Sequence, residues 1–91
     1  MLKTIAGFEF DIDDASGVIK SIRSQSFFVS VGDNVVSKGR YRIEKDVAGT
    51  VVRIDYPYIS GRTTDILVVR WDGRKEVLSM KIKDVQLLGV R

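Results

Sequence analysis

A chain of 91 residues, 44% hydrophobic and 30% charged, has the size and composition of one globular domain rather than of a disordered tail. It has no histidine and no cysteine, which excludes disulfides, thiolate zinc sites and imidazole-based catalysis. The net charge of +3 is small beside the basic footprint of nucleic-acid proteins. No apolar run approaches the ~20 residues of a membrane span, and Met1-Leu2-Lys3-Thr4 lacks a signal-peptide core. A cytoplasmic protein with no membrane contact is the expectation.

In chain order, Ala6, Phe8, Phe10 and Ile12 alternate with Glu9, Asp11 and Asp13. That period of two predicts a half-buried strand with its aromatics inward and its carboxylates in water. Asp14-Ala15-Ser16-Gly17 predicts a turn. Asp11 to Gly17 also has a superficial likeness to a calcium loop. It fails as an EF-hand, because Ala15, Ser16 and Ile22 stand where an oxygen ligand, a glycine and a glutamate belong. Val18 to Arg23 is open between strand and helix. Its β-branched content, and Gly17 at the would-be helix start, favour a strand returning along the first.

Phe27, Phe28, Val29 and Val31 form a short apolar run that stops at Gly32-Asp33, and Val35-Val36 resume it. Ser37 to Asp46 reads as a charged loop around Gly39, with Tyr41 and Ile43 alternating inside it. Gly32 and Gly39 do not make a phosphate loop, since no Lys-Ser/Thr follows. Thr50 to Ile54 predicts a strand entered through Ala48-Gly49; strict alternation puts Thr50, Val52 and Ile54 on one face and Val51 and Arg53 on the other. Tyr56 to Arg62 is a longer loop, because Pro57 removes a ladder donor.

Asp72-Gly73, between the apolar Ile66–Trp71 and the alternating run to Ile82, predicts a hairpin with a two-residue type I′ turn. In its first strand Ile66, Val68 and Arg70 share a face opposite Leu67, Val69 and Trp71. Lys83 to Leu88 closes the chain with a short turn and a last strand. Five or six short antiparallel strands at near-regular spacing predict an all-β barrel or small sandwich.

Gly32-Asp33-x-Val35, Ala48 to Asp55, Ile66 to Val69, the Asp72-Gly73 hairpin and Val85 to Leu88, taken in this order, resemble an SH3-like barrel of the KOW or Tudor type. The resemblance covers about residues 31–88. It implies that residues 1–30 are an added hairpin or short helix packed on the barrel, all within a single domain. Members of the group bind RNA, ribosomal or polymerase proteins, or modified side chains, so the resemblance does not choose a ligand.

Nothing in the spacing singles out a carboxylate or lysine for catalysis, so a non-catalytic binding module without cofactor, metal or small-molecule substrate is expected. The charge is uneven: residues 1–37 hold three basic and five acidic side chains, residues 38–91 twelve and seven. Arg53, Arg62, Arg70, Arg74 and Lys75 are interleaved with Tyr56, Tyr58, Ile59 and Trp71, a combination able to grip anions and stack on bases. Trp71 is equally readable as the core residue at the end of the barrel. Acidic residues punctuate the basic set throughout, and they repel phosphate. A protein partner is therefore favoured over nucleic acid.

Overall fold

In the computed structural model, which describes residues 1–40, 42–57 and 66–88, regular structure is almost entirely strand. The described strands are β1 (Leu2–Ile5), β2 (Phe8–Ile12), β3 (Ile19–Arg23), β4 (Phe28–Ser30), β5 (Asn34–Ser37), β6 (Ala48–Ile54), β7 (Leu67–Trp71), β8 (Val77–Met80) and β9 (Val85–Leu87). A single 3-10 turn, Ile82–Asp84, leads into β9. They form two antiparallel sheets, ordered β1-β2-β3-β4 and β8-β7-β6-β5-β9. The second sheet curls into a half-barrel compatible with an SH3-like barrel.

The first sheet is a meander rather than a single added hairpin. β1 pairs with β2 from Leu2↔Asp11 to Ile5↔Phe8, so Ala6 and Gly7 alone make the turn. Their φ values of 53° and 83° are both positive, the pattern a type I′ turn requires. Alternation along β2 holds: Phe10 and Ile12 are buried, while Glu9 and Asp11 are half-exposed. Val18 to Arg23 is a strand from Ile19, lying between β2 and β4, where both of its edges find ladder partners.

The chain passes between the sheets at Ser30-Val31-Gly32-Asp33. The Asp33 N–H bonds the Ser30 carbonyl at 3.0 Å, and Gly32 has φ 97°. Opposite this turn on β6, the Gly32 N–H donates to the Val51 carbonyl at 2.7 Å, while the Val51 N–H donates to the Asp33 carbonyl at 2.9 Å. Two residues therefore face one, a glycine-dependent bulge that bends the chain out of the first sheet and into the second.

Two expectations for the second sheet are corrected. The β6–β7 register shifts between Val51 and Arg53, leaving Val52 as an extra residue. Val51 and Ile54 therefore both point into the core, which strict alternation forbids. The β7–β8 hairpin pairs Arg70 with Val77, so its loop is longer than the two residues Asp72 and Gly73. Gly73 does have φ 77°, but Asp72 is not among the positive-φ residues, and the Arg74 N–H closes a four-residue turn on the Trp71 carbonyl at 3.1 Å. This is the sign pattern of a type II turn. Relative to the predicted register the strands have slipped by two residues, so every side chain keeps its face.

One buried cluster joins the sheets, with Phe10, Ile22 and Val29 from the first and Val35, Val51, Leu67, Val69 and Trp71 from the second. Ile43 reaches it from the otherwise polar β5–β6 loop. The Ser37 hydroxyl steadies that loop, donating to the Ile43 carbonyl at 3.2 Å and accepting from the Gly39 N–H at 3.0 Å.

Candidate binding surfaces

The curled sheet carries part of the predicted basic set on its outer face. Arg70 lies opposite Thr50, and Arg53 opposite Val68, two residues along β7. Arg53 and Arg70 are therefore diagonal neighbours, a spacing of roughly 7–8 Å between residues. Both are exposed. Arg53 is already engaged: its Nε and Nη2 donate to Asp55 Oδ1 and Oδ2 at 2.7 and 3.1 Å. That hydrogen-bonded pairing holds the guanidinium pKa above its ordinary value. Arg74 sits in the β7–β8 turn and donates from Nη2 to Glu44 Oε1 at 2.9 Å. Arg70 and the exposed Lys75 have no ion pair among the described residues.

The aromatic half of the set is not an open stacking surface. Trp71 is 1% exposed, so it belongs to the core and not to a binding face. Its indole lies against Gly49, where an added Cβ would come within 2.6 Å of Cε3. Tyr56 is 45% exposed, with its ring centroid 5.8 Å from that of Phe10. Tyr58, Ile59 and Arg62 lie outside the described residues.

A second surface was not anticipated from the sequence. A groove runs between the β3–β4 hairpin and β9, as two adjoining hollows of about 560 and 530 Å³ that share Ser26, Phe27 and Leu87. Phe8, Ile82 and Val85 extend its apolar floor. Phe27 is held there by Phe8, with ring centroids 5.9 Å apart. The rim carries Arg23, Lys38 and Lys83, and among the described residues no acidic side chain lines either hollow. Arg23 lies over the Phe28 ring at 4.9 Å from its centroid. The adjacent Phe27-Phe28 pair was the one local signal of this groove, since a strand buries only one of two successive side chains on a given face.

Across the acidic segment Asp11–Gly17, Asp11 and Ile12 end β2 and the residues after them form a turn, the strand end and turn that the sequence reading preferred to a calcium loop. The Ser16 N–H and hydroxyl donate to Asp13 Oδ2 at 3.0 and 2.7 Å and lower the pKa of that carboxyl. No cluster of three or more potential metal ligands occurs among the described residues. No family, curated protein or solved structure matches the chain.

Proposed function

We propose that the chain is a non-catalytic binding module whose partner is another protein. The observation that carries this reading is a contrast between two surfaces. In the basic and aromatic set, Arg53 and Arg74 hold internal carboxylates and Trp71 is core. The carboxylates of Asp55 and Glu44 offset the charge those arginines would present to a phosphate and occupy part of their donor set. The groove beside β9, by contrast, leaves apolar side chains accessible inside a polar and basic rim, the general anatomy of a protein-contact site. The exposed Val77 and Tyr56 offer further apolar contact outside it. The absence of histidine and cysteine favours binding over catalysis. The motif order resembling the KOW or Tudor type is compatible with an accessory subunit of a larger cytoplasmic assembly.

The test compares the full chain's binding to mixed-sequence RNA and DNA across a salt series with cross-linking in a lysate of the source cell. Weak, salt-erased nucleic-acid binding is expected, unaffected by Arg53→Ala or Arg70→Ala, together with protein cross-links through Lys38 or Lys83. Micromolar or tighter nucleic-acid binding at physiological salt, abolished by the arginine changes, would overturn the proposal.

A further inference from the structure

Among the described residues the last strand of the curled sheet has one unpaired edge, and its residues Val85 and Leu87 line the groove. β9 pairs, among the described residues, only with β5, through Val35↔Leu87, Val36↔Gln86 and Ser37↔Val85. The Lys38 N–H donates to the Asp84 carbonyl at 3.1 Å, and the Leu88 N–H to the Asn34 carbonyl at 3.4 Å. The Asp84 carbonyl and the Leu88 N–H therefore face β5, with the amide groups of Gln86 between them, while the Asp84 N–H donates to the Lys81 carbonyl at 3.0 Å. Alternation turns the amide groups of Val85 and Leu87 the other way. The Val85 N–H closes the 3-10 turn on the Ile82 carbonyl. The Val85 carbonyl and both amide groups of Leu87 remain, with no protein partner among the described residues.

Val85 and Leu87, which carry these groups, line the trough together with Ser26 and Phe27, and its rim is basic. From this we infer that the groove takes an extended, acidic protein segment, which adds to the sheet as a strand beside β9. The inference rests on the protein-partner reading above and names the partner's chemistry. Three features converge on it. The unpaired Leu87 N–H and C=O supply the main-chain bonds that hold an added strand. Phe8, Phe27 and Leu87 supply the apolar contact for alternate side chains of that strand. Arg23, Lys38 and Lys83, with no acid among the lining residues, select Asp or Glu on its flanks and reject basic sequences. The edge of β4 is less suited: the Ser30 N–H that faces outward there is already bonded to Asp33 Oδ2 at 2.9 Å.

The test is selection of a displayed library of short random peptides on the full chain, followed by synthesis of the most enriched sequence. Enrichment of alternating apolar and acidic residues is expected, with amide resonances shifting at Ser26–Phe28 and Val85–Leu88. Lys83→Glu and Lys38→Glu, both at exposed positions, should each weaken the peptide about ten-fold while leaving the rest of the amide spectrum unchanged. A copy N-methylated at the residue facing Leu87 should bind at least ten-fold more weakly than the parent. Selection of basic peptides, no enrichment at all, shifts confined to the Arg53–Arg70 face, or an N-methylated copy that binds as well as the parent would each overturn the inference. Protein cross-links at another surface would still support the protein-partner reading, whereas tight RNA binding through Arg53 and Arg70 would remove both.

Discussion

Gly49 shows how one absent side chain sets the packing of a sheet. Trp71 lies over it, and an added Cβ would sit 2.6 Å from Trp71 Cε3 and 2.7 Å from Val69 Cγ1, distances real Cβ atoms do not tolerate. Gly49→Ala should therefore destabilise the protein by roughly 1–3 kcal/mol through overpacking. Trp71 is the only tryptophan, so chemical denaturation followed by its fluorescence reads the loss directly. An unchanged midpoint would mean that the indole is not seated there. At Asp13 the two donors from Ser16 lower the folded-state pKa below its ordinary value. A depressed carboxylate contributes stability that is present above its unfolded pKa and lost as pH falls through the folded one. The carboxyl is at the surface on a partly exposed residue, so its contribution is small, but the shift itself is measurable. In a carboxyl NMR titration, Ser16→Ala, which removes the hydroxyl donor and keeps the backbone N–H, should raise the Asp13 pKa part of the way towards the ordinary range.

At the scale of elements, the type I′ turn expected at Asp72-Gly73 occurs instead at Ala6-Gly7, where the sequence reading puts Ala6 in a strand. Asp72-Gly73 has the composition of a type I′ turn, yet only Gly73 takes positive φ. Ala6-Gly7 makes the two-residue turn with both φ positive, although alanine is a poor residue for the left-handed region. Ala6→Gly should consequently cost nothing or stabilise by up to about 1 kcal/mol, whereas Gly73→Val should destabilise by about 1 kcal/mol or more. Thermal melts of the two variants, compared with the parent, check the pair. Destabilisation by the first and tolerance of the second would reverse the turn assignment. The bulge at Val52 makes the same point about register. Residues 48–54 carry no local mark of an extra residue, and the bulge follows from how β6 must bend to pair with both β5 and β7.

For the whole molecule, the N-terminal meander shares one core with the curled sheet. Phe10 and Ile22 are completely buried in it, and burying a large apolar side chain contributes roughly 1.5–3 kcal/mol. Deleting residues 1–25 removes three of the four strands of the first sheet as well as Phe8 and Phe10. It should give insoluble or molten protein, seen as loss of amide dispersion and of a cooperative melt. A deletion variant that melts as sharply and as high as the parent would show that the curled sheet folds by itself.

What the sequence by itself determined is the part written in nearest neighbours. Alternation over Phe8–Ile12, the β-branched Val51–Ile54 and Leu67–Val69 runs, and the turn residues around Gly17, Gly32 and Gly73 specify an all-β chain, because strand period and turn chemistry are local properties. The core position of Trp71 was legible in the same way, from its parity with Leu67 and Val69. Only the tertiary structure decided the rest. The Leu2–Ile5 segment, which has no strand alternation of its own, is a strand because β2 offers it an edge. Arg53 has a partner two residues away at Asp55, but Arg74 meets Glu44 only because the fold brings the β5–β6 loop beside the β7–β8 turn. The groove joins Phe8 and Phe27 to Leu87, far apart in the chain, and among the described residues β9 is left at the edge of its sheet. Such features depend on distant pairings, and no window of neighbouring residues encodes them.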